Sequence, residues 1–266
     1  MAQTPATPHE VSDGGRWSDV LTGRLGVYTL VLNLGVMLFA TSTFVVIAIM
    51  PTVAADIGGL RFYSWVFALF SVGSVIGAAG IGPFYEAFGH RNAYAGAGVV
   101  FVVGLVGAAL APNTEVLVVW RLIQGVGGGA IASQAYALIA EMFPEHLRGR
   151  ALSLVSTSWG VATVLGPTFG GIYAEFGLWR SAFATLAASA VVFAWLAWRV
   201  VPQAAHGGRL ANFPIARLTL LDASVLGLSM TSQLDGNWAR ALFLIVGLAL
   251  AAIAFRRDAK AERSLF

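Results

Sequence analysis

Six long stretches of this chain are almost free of charge, and that restricts its fold more than any other feature. Leu25 to Ala55, Phe62 to Tyr85, Asn92 to Thr114, Ala151 to Ala174 and Ser181 to Trp198 hold no Asp, Glu, Lys or Arg. Val116 to Ala140 holds one, Arg121. A helix needs about 20 mostly apolar residues to cross about 30 Å of hydrocarbon, and each stretch is of that order. The stretches lack strict alternation and are rich in Ala, Leu and Gly, so strands and an outer-membrane barrel are poor readings. Two weaker segments follow, Leu218 to Leu234, which contains Asp222, and Ala241 to Phe255. They read as a helical hairpin turning at Asp235-Gly236-Asn237.

Composition agrees. Charged residues make up 11% of the 266, against about 25% in an ordinary soluble domain. That is too little charge to cover an aqueous surface. Cysteine is absent, which removes disulfides, thiolate metal sites and a cysteine nucleophile. The four histidines lie outside the six stretches, and no Ser-His-Asp set or HExxH motif stands out. No catalytic residue, metal site or cofactor is expected, and the chain does not read as an enzyme. The net charge of +3 fits loops on one side of a bilayer better than a nucleic-acid patch.

Positive charge sets the expected orientation. With eight spans, one side collects Arg16, Arg24, Arg91, Arg148, Arg150, Arg199, Arg209, Arg217, Arg256, Arg257, Lys260 and Arg263; the other collects Arg61, Arg180 and Arg240. Both termini are therefore expected in the cytoplasm of a multi-pass cell-membrane protein. The expected organisation is a cytoplasmic tail over 1–24, a six-helix block over 25–201, a cytoplasmic linker over 202–215, a transmembrane hairpin over 216–256 and a second tail over 257–266.

Three local patterns carry further meaning. Gly82-Pro-Phe-Tyr-Glu86-Ala-Phe-Gly89-His-Arg91 joins the second and third stretches on the expected cytoplasmic side. Gly89 supplies a helix-ending conformation, Arg91 can hold carbonyls or an acid, and Glu86 can pair with a base. Ordinary helix capping with positive-inside charge would give the same pattern. The fourth stretch carries Arg121 and Gln124 on one helix face, since they are three apart. A charge at membrane depth usually faces a polar cavity or a partner, although Arg121 is close enough to Glu115 to snorkel to the interface instead. Gly125 and Gly129 form a small-xxx-small step there, and Gly160, Gly166-Pro167 and Gly170 mark the fifth stretch for close packing and a bend. Trp65, Phe70, Gln134, Tyr136 and Trp159 are candidates to line an inner passage; plain packing is the competing reading of each.

Taken together these segments resemble the major facilitator superfamily. Gly82 to Arg91 is similar to its loop motif, with Glu86 for the usual Asp and Ala87 for the usual base. Arg121-xx-Gln124-Gly125-x-Gly127 resembles the helix-four motif, and Gly160 to Gly171 the helix-five motif of proton-coupled antiporters. Met50-Pro51 to Asp56, Tyr63-Ser-Trp65-Val and Gly177-Leu-Trp-Arg180 resemble further segments of the drug/proton antiporters. The resemblance covers roughly residues 25 to 201 and implies an all-α integral membrane protein, a six-helix N-terminal bundle followed by the extra hairpin of the 14-helix subfamily. It implies a lipid environment, a small-molecule substrate, proton coupling, and a C-terminal six-helix half that the sequence is expected to lack. It implies export of small amphipathic compounds. A metabolite permease, or a non-transporting fragment that needs a second half, are the alternatives. The acid often found in helix one of that subfamily is replaced by Ser42, next to Thr43. Asp222 reads as structural.

Overall fold

Apolar composition forces backbone groups in lipid to bond within their own segment, and helices are the open-chain way to do so. The computed structural model describes residues 16–203, 223, 227 and 237–259. A short α1 (Trp17–Leu21) leads into α2 (Gly23–Ile57), and a 3-10 turn (Leu60–Phe62) into α3 (Tyr63–Ala109). Then come α4 (Thr114–Met142), α5 (Glu145–Glu175), α6 (Trp179–Val200) and α7 (Asn237–Ala259). Among the described residues there is no strand.

The 47 residues of α3 hold the second and third apolar stretches together. One residue departs from helical geometry, Gly89, at φ 78 and ψ 163. That left-handed value is strained for a residue with a β-carbon and free for glycine. The chain reverses there, because residues on both sides of Gly89 reach the same level of α4. Gly73 and Gly77 abut Leu122 and Val126, while Phe101 and Gly104 abut Gly127 and Gln124. The Gly82-to-Arg91 segment, expected from sequence to join the second and third stretches, is thus helical apart from a single-residue break.

Four helical segments meet the length and hydropathy of a membrane span outright: Gly23–Ile57, Leu60–Ala109, Thr114–Met142 and Trp179–Val200. The second is two rods folded at Gly89. At 31 residues α5 is long enough to cross but less apolar. Its buried stripe, Leu147, Ala151, Val155, Ser158, Ala162, Gly166 and Gly170, follows the helical repeat and faces α2. Ser153, Ser156, Thr157, Thr163 and Thr168 stay exposed and turn their hydroxyls onto carbonyls of their own helix. The expected linker from residue 204 and most of the first hairpin arm lie outside the described residues, as do residues 1–15, Asp222, and the tail beyond 259. Gly227 lies against Gly247 of α7.

Lipid tails are as apolar as leucine, so burying leucine between helices adds little; close backbone packing and buried hydrogen bonds hold such a bundle together. The seam between α3 and α4 is built this way. A Cβ at Gly77 would strike the carbonyl oxygen of Val126, one at Gly125 that of Phe70, and one at Gly129 that of Ser74. Gly166 and Gly170 bring α5 onto Phe44, Val45 and Ala48 of α2. Gly160, expected among these packing residues, departs from them: it is exposed, with open space where a side chain would project. Pro167 is exposed inside α5, and α5 remains one helix through it. At the centre, Gly35 leaves room for Tyr94, Ile131 and Phe193 to meet, with the Tyr94 and Phe193 rings edge-on at 5.2 Å.

The two ends of the bundle are tied differently. At the end where α2 finishes, Asp56 accepts from Arg180 Nη1 at 2.6 Å and from the indole N–H of Trp179 at 3.0 Å. Arg180 also donates to the Ala111 carbonyl at 3.2 Å, so one guanidinium joins α2, α6 and the α3–α4 loop. Thr114 donates to the Gly58 carbonyl at 2.6 Å and Asn113 caps α4 through the Val116 N–H. Arg180→Ala should lower the melting temperature in detergent by more than Arg61→Ala. Arg61 makes a 3.4 Å contact to Glu115, lies 4.5 Å from the centroid of the neighbouring Phe62 ring and is largely exposed, and such exposed pairs contribute little. Equal melting points for the two variants would remove the Asp56 cluster from the account of stability.

Candidate functional site

Arg121 is fully buried on α4. Its Nη1 donates to Gln124 Oε1 at 2.7 Å, one helical turn on, and its Nε makes a long 3.4 Å contact to the Val66 carbonyl of α3. The guanidinium carbon lies 3.8 Å from the centroid of the Phe70 ring, a close cation–π contact. Snorkelling to the interface is therefore overturned as a reading of Arg121: the side chain turns into the bundle and is held there on two helices. Two donors, Arg121 Nη2 and Gln124 Nε2, find no partner among the described residues. Leaving a buried donor unpaired costs about 1–3 kcal/mol.

Phe70 connects this charge to the rest of the bundle. It stacks on Phe39 of α2 at 5.7 Å, and Phe39 meets Trp159 of α5 edge-on at 5.9 Å. The row Arg121, Phe70, Phe39, Trp159 thus crosses α4, α3, α2 and α5. Phe39 was not singled out from sequence. The segment that carries it is apolar throughout, so no periodicity marks one face of it. The hydroxyls where the family's acid often stands turn away to their own backbone, Ser42 and Thr43 both donating to the Phe39 carbonyl. Among the described residues Arg121 is the one charged side chain in the apolar part of a span.

The other sequence candidates separate. Trp65 is half-buried against the core, and Tyr136 is exposed. Gln134 is buried, and its amide donates to the His90 carbonyl at 3.0 Å, which places it at the α3 break rather than beside Arg121. Around that break Gly82 has open space about it, Glu86 is half-buried, and Arg91 donates to the Val201 carbonyl at the end of α6 at 2.9 Å. Gln203 donates to the Phe88 carbonyl at 2.9 Å, a second tie from beyond α6 to the break. Among the described residues no cluster of His, Cys, Asp or Glu has the makeup of a metal site.

Membrane-length helices, glycine seams between them and a buried guanidinium at the end of an aromatic row define a polytopic helical membrane protein of the transporter type. The chain belongs to the Major Facilitator Superfamily, whose family model matches residues 32–256. It is 37% identical over 232 residues to a Mycobacterium tuberculosis protein named Probable multidrug-efflux transporter, covering 83% of this chain and 48% of the relative. It is 29% identical over 152 residues to Multidrug resistance protein 3 of Bacillus subtilis, covering 57% of this chain and 30% of that one. The chain therefore spans about half the length of the mycobacterial relative. In fold it is similar to the crystal structure of a D-xylose-proton symporter, with a TM-score of 0.63 at 20% identity, covering 88% of this chain and 70% of the symporter.

Proposed function

We propose that this chain forms the N-terminal half of a secondary active transporter that exports small amphipathic compounds in exchange for protons. A second six-helix half completes the passage, and the two rock about a site near the bilayer midplane. The observation that carries this reading is the row from Trp159 through Phe39 and Phe70 to Arg121, which spans the four helices α2 to α5. The half-buried rings of Phe39 and Trp159 offer apolar surface to flat bodies, with Phe70 and the unpartnered donors of Arg121 and Gln124 buried behind them. The polar, small-residue face of α5, with Gly160 and Thr163 exposed, suits a sliding contact with the second half. Gly82, Glu86, Gly89 and Arg91 form the gating corner. The span pattern of the sequence expects twelve of the sixteen basic residues on the side of that corner, which supports assigning both termini to the cytoplasm and the membrane to the cell membrane.

Efflux of a fluorescent dye tests the proposal. Cells that express the complete transporter should hold less dye than cells that lack it, and a protonophore should abolish the difference. Uptake of a defined metabolite with no effect on dye would instead favour the permease. Dye efflux that survives the protonophore would end the proton-coupled form of the proposal.

A further inference from the structure

A cleft of about 300 Å³ lies between α2, α5 and α6, apart from the row that ends at Arg121. The buried Leu38, Val45 and Leu186 form its floor, and the exposed Phe169 ring stands at its rim. That volume is at the lower end of the about 300–1,000 Å³ of small-molecule sites, enough for one ring with short alkyl branches. Its polar edge is made by Tyr173 of α5 and by Thr185 and Ser189, both exposed on α6. The helix α6 has the length and apolarity of a membrane span, so a ligand arrives at this edge dissolved in lipid.

The hydrogen bonds along that edge decide what it takes. A hydroxyl has one proton and two lone pairs. Thr185 Oγ1 donates to the Ser181 carbonyl, one turn back, at 2.9 Å. Its proton is thereby committed, so the Tyr173 hydroxyl, 2.7 Å away, is the donor to Thr185 Oγ1. Ser189 Oγ donates to the Thr185 carbonyl at 3.0 Å. All three protons are held by the protein, and lone pairs are what the edge presents. Thr41 also lines the cleft, but its hydroxyl oxygen is buried out of reach. Among the described residues that line the cleft, none is charged. We propose that this cleft binds neutral, lipid-soluble molecules that join a single ring to a hydrogen-bond donor, phenols above all. A donor dissolved in hydrocarbon has no partner, and the edge supplies one. Ethers and ketones bring lone pairs to lone pairs. Lipophilic cations find no carboxylate to offset their charge, which is expensive at this depth. Binding here is a property of this half of the bundle and does not depend on the export reading.

Binding of tritiated 4-tert-butylphenol to the full chain in lipid nanodiscs, measured over empty nanodiscs, tests the proposal. Binding should saturate, and the phenol should bind about fivefold more tightly than its methyl ether, the size of one net hydrogen bond. The trimethylammonium compound with the same apolar body should not compete. Thr185→Val removes the acceptor of the Tyr173 proton and turns that hydroxyl into a donor at the edge. The preference for phenol over ether should then fall to near parity, and the ether should bind more tightly than it does to the parent chain. Leu165→Trp, at a half-buried lining position, should fill the cleft and abolish saturable binding. No saturable binding in the parent chain, equal affinity there for phenol and ether, or an unchanged preference in Thr185→Val would overturn the proposal, as would binding that survives Leu165→Trp. Melting temperatures identify a variant that fails to fold; Thr185→Val, which alters one exposed side chain, carries the test if the tryptophan variant does.

Discussion

Gly77→Ala should cost this bundle more stability than any other single added methyl, while Gly160→Ala should cost none. A β-carbon at Gly77 would run into the Val126 carbonyl and crowd the Ala130 N–H, both backbone groups of α4. Backbone cannot swing aside as a side-chain tip can, so α3 and α4 must part along their seam. Overpacking of this kind costs about 1–3 kcal/mol when side chains can adjust, and more when they cannot. At Gly160 a methyl meets nothing within 4 Å, and alanine is the better helix former by about 1 kcal/mol. The two variants add the same group to the same class of residue and should move the melting temperature in opposite directions. If Gly77→Ala melts with Gly160→Ala, the seam is not closed as described. Gly125→Ala, aimed at the Phe70 carbonyl from the other side of the seam, should behave as Gly77→Ala does.

That contrast also marks what the sequence can and cannot yield. Spans are legible because crossing hydrocarbon demands length and apolarity, and both are written residue by residue. The Gly125-to-Gly129 step was legible for a similar reason: a four-residue spacing puts both glycines on one face whatever that face meets. Gly160 belongs to the same sort of pattern in α5 and meets nothing, because spacing says which residues share a face and not which face finds a partner. Arg91 was expected to hold carbonyls or an acid, and it holds a carbonyl. That the carbonyl belongs to Val201, 110 residues on, is a property of the packed bundle. Asp56 and Arg180 were noticed in separate motifs, 124 residues apart, and only the fold joins them. His90 escaped notice because a histidine after a turn glycine looks like any solvated loop residue. Its burial comes from α4 passing beside the break.

Replacing Arg121 by methionine should abolish efflux in the complete transporter while leaving the melting temperature of this chain unchanged or raised. Arg121 is a buried cation with no carboxylate beside it among the described residues; its partners are an amide oxygen, a carbonyl at 3.4 Å and a ring face. The desolvation cost of a buried ion is several kcal/mol, and neutral hydrogen bonds offset only part of it. Charges at membrane depth are expensive to keep and are found where function needs them. Methionine fills similar volume, adapts to irregular gaps and packs its sulfur against Phe70. The Gln124 oxygen loses a donor, which subtracts about 1 kcal/mol from the gain. If the guanidinium were there to hold the helices together, its removal should instead lower the melting point by several degrees, with efflux falling only as folded protein is lost. Efflux corrected for the folded amount separates the two cases. A functional role gives loss of transport with stability kept, and a structural role gives loss of both together. Arg121→Lys sharpens the comparison, because it keeps the charge but not the planar fork that lies over Phe70 and reaches Gln124. Its efflux should fall between wild type and methionine. Wild-type efflux in Arg121→Met would sever the buried charge from transport altogether.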